Sequence, residues 1–354
     1  MTELKVGVVG TGMGRIHMEE FAKIKGVSVA GVCDLNLKEA QLFADKFGAK
    51  IVRGDYRDFV REPSFDAISI AVPNRLHASI AIAALEAGKH VLCEKPMATT
   101  VEDALRMVSA AERAGKLLMI NQSQRFNKGT QIIRRYAEQG DLGRIYLGIA
   151  TWIRRKGWPV LNMGPDGVMG RGEWFIRKDA AGGGALFDIG VHLLDLAWYL
   201  MGSPRPVSAS AASFLEVARE RLAQRNLPAE VDELTSALLR FENGAVIQLV
   251  VSWDSHNAPD HSVRIFGSEA GAGVFPPVLY RGSEVIETAA LDVVEGGLCM
   301  PTAYEHFVSC LREPACRMIA SGRELLDVIR MLKAIQESAV AGKEVAVRSD
   351  PRGK

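Results

Sequence analysis

Asp188, His192 and Asp195 stand at i, i+4 and i+7 in the run Gly182-Gly183-Gly184-Ala185-Leu186-Phe187-Asp188-Ile189-Gly190-Val191-His192-Leu193-Leu194-Asp195, a spacing that puts all three on one face of a helix. The segment stays apolar through Leu196-Ala197-Trp198-Tyr199-Leu200, so the helix is expected to be mostly buried, where a carboxylate or imidazole without a partner is costly. Three readings are open from these residues: the groups satisfy one another in the core, they hold a metal, or they perform acid–base chemistry. Two features upstream favour the chemistry, and no metal is expected.

The first is the amino terminus. Leu4-Lys5-Val6-Gly7-Val8-Val9 reads as a buried strand running into Gly10-Thr11-Gly12-Met13-Gly14 and then a helical pattern from Arg15. Such a turn lets the backbone approach a pyrophosphate at a helix N-terminus. A second strand, Val27 to Cys33, ends in Asp34, placed to accept hydrogen bonds from the adenosine ribose and so to favour NAD over NADP. The third small residue of the pattern is due at position 15, where Arg15 stands, while Gly14 comes one place early; helix packing or phosphate contact is expected to be altered there. The second feature is His90-Val91-Leu92-Cys93-Glu94-Lys95-Pro96, a strand ending in a charged pair at the carboxyl edge of the same sheet, the edge at which open α/β sheets bind ligands. Before it lie the strand and turn Ala67 to Asn74 and a helix from Leu76 to Ala87 stopped by Gly88.

Together these residues resemble the glucose-fructose oxidoreductase, inositol dehydrogenase and rhizopine catabolism (Gfo/Idh/MocA) family. The resemblance covers nearly the whole chain: the glycine turn with His17 after it, Asp34, Val72-Pro73-Asn74-Arg75-Leu76-His77, Glu94-Lys95-Pro96, and the triple glycine leading to Asp188, Gly190, His192 and Asp195. The tail, Ser321-Gly322-Arg323 through Ser338 and then Gly342-Lys343-Glu344-Val345, is similar to the family's closing helix and strand. The resemblance implies NAD held by Gly10, Thr11, Gly12, Met13, Gly14, Arg15, Asp34, Val72, Pro73, Asn74, His77, Glu94 and Lys95, with a cis Lys95-Pro96 bond aiming Lys95 over the nicotinamide. It further implies that a secondary alcohol of a sugar or inositol gives up hydride to the nicotinamide while its proton passes to His192. Lys95 would stabilise charge on the same oxygen, and Asp188 would bind a neighbouring hydroxyl.

Composition agrees with an ordinary globular enzyme: 354 residues, 48% hydrophobic and 24% charged. With 43 Lys and Arg against 42 Asp and Glu, no global field points to nucleic acid or an anionic membrane, and a small-molecule partner is expected. No apolar run is read as a membrane span or signal peptide. Cys33, Cys93, Cys299, Cys310 and Cys316 show no metal-site spacing, and a reduced, cytoplasmic compartment is expected.

Strands alternate with helices up to a boundary near Gln122, which gives an α/β Rossmann domain over 1–122 with a parallel, doubly wound sheet. Residues 123–354 read as an α+β substrate-binding domain with a large, mostly antiparallel open sheet, the closing helix packing back on the first domain. Strands are expected at Ile145 to Trp152, Val207 to Phe214, Thr235 to Phe241, Ala245 to Trp253, Ser262 to Phe266 and Gly273 to Val278, with Asn243-Gly244 as a hairpin. A glycine-rich loop runs through Trp158, Gly164, Gly167, Gly170 and Gly172, and Glu216 to Asn226 reads as an exposed helix. An open sheet carrying runs such as Val246 to Val251 is expected to be covered by a second copy, as a homodimer or homotetramer.

Besides Lys95, Asp188 and His192, substrate contacts are assigned to Asn121, Gln124, Arg125, Trp158 and Trp174. Either tryptophan reads equally as a sugar platform or as core or interface packing. Three other activities fit the same fold: an NADP-linked reductase of sugar ketones, a glycoside hydrolase using NAD only transiently, and a sugar-sensing regulator that binds dinucleotide without chemistry. Asp34 argues against the first, and the joint presence of Lys95, Asp188 and His192 against the last.

Overall fold

A computed structural model of the chain describes residues 3–159, 172–287, 301–313 and 315–348; Gly164, Gly167, Gly170 and Cys299 lie outside them. The chain divides into two compact units, Met1–Gln122 with Pro301–Leu326, and Ser123–Met300 with Asp327–Lys354.

The first unit is built on six strands: β1 (Leu4–Val9), β2 (Val27–Cys33), β3 (Ile51–Arg53), β4 (Ala67–Ile70), β5 (His90–Glu94) and β6 (Leu118–Asn121). Their order is β3-β2-β1-β4-β5-β6, every pair parallel, the dinucleotide-binding arrangement with its switch point between β1 and β4. Val8, Ile68, Ile70, Val91 and Leu92 are fully buried, as expected of parallel strands covered on both faces. Local signals set the helix limits. Asn36 and Thr100 cap the helices Leu37–Phe47 and Val101–Ala114, which end on left-handed Gly48 and Gly115. The chain returns to this unit through the helix Ala303–Arg312, opened by a Thr302–Glu305 capping box. Beyond it, Ile120 N–H donates to the Ala320 carbonyl and Ser321 bridges Met119, so this segment covers the edge of β6.

The second unit holds a nine-stranded sheet: β7 (Ile145–Ile153), β8 (Pro206–Phe214), β9 (Leu234–Phe241), β10 (Val246–Ser252), β11 (Asp260–Gly267), β12 (Gly271–Val274), β13 (Pro277–Arg281), β14 (Glu284–Glu287) and β15 (Val345–Ala346). The order is β14-β13-β12-β11-β7-β10-β9-β8-β15. All pairs are antiparallel except β7 with β10. The single strand expected over Gly273 to Val278 is instead two, joined by a turn at Phe275–Pro276 that sets Val274 opposite Pro277 in an antiparallel hairpin. The helix expected over Glu216 to Asn226 shrinks to Arg219–Gln224, because the buried Glu233 carboxylate takes the N–H groups of Val217 (3.0 Å) and Ala218 (2.7 Å) and holds those residues out of the helix.

The helix Val191–Leu200 packs on β7, β10 and β11. Ala150, Ile247, Leu249, Val251, Val263 and Ile265 are buried. By strand alternation the opposite face carries half-buried Leu147, Ile149, Leu238, Val250 and Phe266 among Arg240, Gln248 and Arg264. Lys178–Leu200 is long and apolar enough to cross a membrane by length and composition, yet 89% of an 18-residue window within it is buried in this unit, which is the environment of a core helix.

Candidate active site

The glycine turn in the first unit is shaped by two contacts. Gly10 has φ +96°, and a Cβ there would stand 2.2 Å from the Ala71 carbonyl oxygen, so only glycine fits. Gly12 has open space where a side chain would be, which leaves the backbone approachable. Gly14, not residue 15, lies against the sheet: its Cβ position is 3.1 Å from Val8 Cγ1, while Arg15 is exposed and pairs with Glu19 at 3.3 Å. The early glycine thus supplies the close helix–strand packing. The helix Gly14–Lys23 has no side-chain cap at its N-terminus; Arg15 N–H turns back to Gly12 O at 3.4 Å and Ile16 N–H to Met13 O at 2.9 Å, and the positive end of the helix dipole there favours an anion.

Asp34 at the end of β2 is held by three donors. Thr11 N–H and Oγ1 both reach Oδ2 at 2.8 Å, and Asn36 N–H reaches Oδ1 at 2.8 Å. This fixes a carboxylate beside the turn, where ribose hydroxyls would donate to it and a 2′-phosphate would be repelled. The cradle therefore fits a dinucleotide of the NAD type.

At the carboxyl end of β5, Glu94 Oε1 accepts from Asn121 Nδ2 (2.6 Å) and bonds His17 Nε2 (2.9 Å), while Oε2 takes Lys95 N–H (3.2 Å). His17, fully buried, completes the chain through Nδ1 to Ser69 Oγ at 2.7 Å. Tyr304 packs edge-on against His17 and Phe21, and its hydroxyl accepts from Asn121 at 3.2 Å. Burial works to raise the Glu94 pKa, but the His17 bond and charge, Lys95 and Asn121 outweigh it and bring the group down to about 2. Lys95 follows directly, and the Lys95–Pro96 bond is cis. His77 ties this turn to the one before it, with Nδ1 2.8 Å from Pro96 O and Nε2 2.9 Å from Val72 O. Both partners are acceptors, so the two bonds coexist only on a doubly protonated ring. Burial lowers its pKa and the two carbonyls only partly offset that.

In the second unit, the last of the three glycines before Asp188 has a packing cause. A Cβ on Gly184 would stand 1.9 Å from Asp232 O, and the Asp232 carboxylate takes the N–H groups of Gly184 (2.7 Å) and Leu186 (2.8 Å). Leu186–Gly190 is then a π-helical turn leading into Val191–Leu200. The expected single face is therefore altered, because a wider turn separates Asp188 from the α-helical register of His192 and Asp195. Asp188 Oδ2 accepts from Trp253 Nε1 at 3.0 Å. His192, half-buried, lies beside Trp152, ring centroids 6.5 Å apart. Trp152 stacks on His261 at 4.3 Å, which stacks on Phe275 at 4.3 Å, and the Arg154 guanidinium sits 4.7 Å from the Trp152 ring centre.

Several expected substrate residues have partners within their own unit. Arg125 and Asp195 are both fully buried and form a bidentate pair, Nε to Oδ2 at 2.9 Å and Nη2 to Oδ1 at 2.7 Å, with the guanidinium 4.4 Å from the Tyr199 ring centre. Its fork is thus turned to a structural carboxylate. Trp158, 1% exposed, donates to Glu233 at 3.0 Å and packs on Trp253, a core position and not a sugar platform. Asn121 serves Glu94 and Tyr304, Gln124 is half-buried in a short 3₁₀ turn, and Trp174 is half-buried on Phe175 at 3.9 Å. Asp254 is buried against Arg221, and His256 is exposed. Trp152 and His261 escaped sequence reasoning; the one available signal was the alternation that puts Trp152 on the same face of β7 as Ala150.

Comparison with known proteins accords with both halves. Residues 4–122 match the description "Oxidoreductase family, NAD-binding Rossmann fold" and residues 130–272 the "GFO/IDH/MocA C-terminal domain". The chain is 30% identical over 354 residues to D-glucoside 3-dehydrogenase of Escherichia coli (strain K12), covering 97% of each. It is 31% identical to levoglucosan dehydrogenase of Pseudarthrobacter phenanthrenivorans, over 78% of this chain and 74% of that one. A solved levoglucosan dehydrogenase in complex with NADH superposes with a TM-score of 0.84 at 26% identity, covering 99% of this chain and 100% of that one. Glycine turn, Glu94-Lys95-Pro96 and triple glycine occur here in one chain whose two halves match the family's two domains, and the protein belongs to the Gfo/Idh/MocA family of NAD-binding oxidoreductases.

Proposed function

We propose that this protein oxidises a secondary hydroxyl of a sugar or cyclitol with NAD, and that Lys95, Asp188 and His192 act on the substrate. NAD, when bound, supplies the acceptor for the hydride leaving the carbinol carbon. His192 takes the hydroxyl proton on a ring nitrogen, an imidazole being a base suited to neutral pH. The Lys95 ammonium donates to the same oxygen and stabilises the negative charge that develops as the proton leaves. Asp188, steadied by Trp253, binds a neighbouring hydroxyl, and the Trp152 ring offers an apolar face to sugar C–H groups. Asp34 favours NAD over NADP.

The observation that carries this reading is the Glu94 network, which fixes the residue next to Lys95 at the carboxyl end of β5 through His17, Asn121 and the Lys95 backbone. Relatives act on glucosides and levoglucosan, as their names state, so these compounds head a test panel of sugars, inositols and sugar acids scored by NADH absorbance. Reduction of NAD by a member of the panel is expected. Glycosidic bond cleavage without net NADH, or dinucleotide binding with no turnover on any compound, would overturn the reading. We further propose that a second copy covers the half-buried face of the nine-stranded sheet; light scattering checks this, with Ile149→Asp expected to dissociate the assembly.

A further inference from the structure

Apart from the glycine turn and the Glu94 network, the first unit contains a cluster that the reaction does not use: His306, Cys310 and Cys316. His306 and Cys310 are one turn apart on the helix Ala303–Arg312, and Cys316 follows after the chain has left it. The two sulfurs stand 3.0 Å apart. Cys310 is buried and Cys316 half-exposed. His306 Nε2 accepts the Ile319 N–H at 2.9 Å and lies 3.5 Å from Cys310 Sγ, so the backbone just past Cys316 is already tied to the helix that carries Cys310.

We propose that Cys310 and Cys316 are a reversible dithiol–disulfide pair, a modification site that responds to hydrogen peroxide. The half-exposed Cys316 reacts first: its thiolate sulfur attacks a peroxide oxygen, the O–O bond breaks, and the leaving hydroxide takes up a proton to become water. Cys310 then attacks the Cys316 sulfenic sulfur; the S–S bond forms, the S–O bond breaks, and the Cys310 proton departs in a second water. Two thiols lose two electrons and two protons, and one peroxide gains both. Burial, with the hydrogen bond between Cys310 and Cys316, pushes the Cys310 thiol up to about 12, so Cys310 resolves the reaction and does not start it. The same three side chains could in principle bind zinc. However, two thiolates on one zinc at about 2.3 Å each stand roughly 3.7 Å apart in a tetrahedral site, farther than these sulfurs, and the His306 Nε2 lone pair already holds an amide proton. Closing the disulfide would tie the helix that presents Tyr304 to the segment that pairs with β6.

The test uses the full-length protein, reduced, desalted, treated with hydrogen peroxide, alkylated with N-ethylmaleimide and cut with trypsin without reduction. Cleavage after Arg312 separates Cys310 from Cys316, so the link joins two peptides at two hydrogens below their summed mass. Fragmentation distinguishes Cys310 from Cys299, which share a peptide. The expected result is a Cys310–Cys316 peptide that dithiothreitol removes and that is absent in Cys316→Ser, a half-exposed position where the fold should tolerate the change. Cys310→Ser, read by the same mapping, should lose the link too. Alkylation of both thiols after peroxide would overturn the proposal, as would a Cys299–Cys316 link. So would stoichiometric zinc that shields both thiols until a chelator removes it, which would make the cluster a metal centre.

Discussion

The two ends of one apolar helical segment treat their polar groups differently. At the far end, Asp195 and Arg125 are both fully buried and meet through two short bonds. At the near end, Asp188 and His192 remain half-exposed, on either side of the junction between a π turn and an α-helix, with indoles as neighbours. A fully buried carboxylate closed off by a fork of its own cannot also serve a ligand, whereas a half-exposed one can still be reached from outside. The comparison separates architecture from chemistry within a stripe that looks uniform in sequence.

The sharpest way to break that distinction is to remove one group from each end. His192→Ala is expected to lower kcat by roughly 10²- to 10⁴-fold, as is Lys95→Ala in the other unit, with melting temperatures near the parent's and NADH titrations close to normal. Near-parent turnover in either variant would exclude that residue from the reaction. Asp195→Ala should do the reverse, because it leaves the Arg125 charge buried alone: a loss on the order of 3–5 kcal/mol in urea unfolding, with kcat per folded molecule little changed. If Asp195→Ala instead abolished turnover in a fully folded protein, the two ends would not be different in kind.

Asp34 stands between these cases, half-exposed yet held by three donors. Asp34→Ser with Leu35→Arg is expected to move the NAD-to-NADP ratio of kcat/KM toward NADP by roughly tenfold or more, an effect of about 1.4 kcal/mol; an unchanged ratio would show that the carboxylate does not read the ribose. The smallest effect concerns Glu94, whose pKa falls from 4.5 to about 2 on folding. A depressed carboxylate contributes stability that is present above the unfolded value and is lost as pH falls through the folded one. The unfolding free energy from urea titrations should therefore drop between about pH 6 and about pH 3.5 by on the order of 1 kcal/mol more in the parent than in Glu94→Gln. Equal losses would mean that Glu94 carries no such linkage.

Much of the nucleotide-binding unit was legible because its signals are local. The valine-rich β1, the Gly10 turn and Asp34 at the end of β2 lie within one βαβ stretch, and backbone sterics alone restrict what such a sequence can form. The glycine at position 14 departs from the sequence pattern; only the neighbour Val8 shows that it performs the packing one residue early. Residues of the second unit were harder. Arg125 and Lys95 look alike as basic residues after a strand, but the partner that makes Arg125 structural is 70 residues away. Trp158 and Trp152 likewise differ only in what lies opposite, the Glu233 carboxylate for one and the His192 ring for the other. Spacing fixes which face a residue occupies, and tertiary contact decides whether that face is sealed. The π turn at Leu186–Gly190 was illegible for the same reason, since Asp232 and the close approach at Gly184 come from a distant loop.

The return of the chain to its first unit at Pro301–Leu326 bears on how the protein is made. A ribosome that has finished β6 has produced every strand of the six-stranded sheet, but not Tyr304, whose ring closes over His17 and Phe21 and whose hydroxyl meets Asn121. About 200 further residues must emerge first, roughly 10 to 40 seconds at ordinary elongation rates. Until then His17 and Phe21 lack their aromatic cover, so the nascent nucleotide-binding unit is completed only near the end of synthesis, when most of the second unit has already emerged.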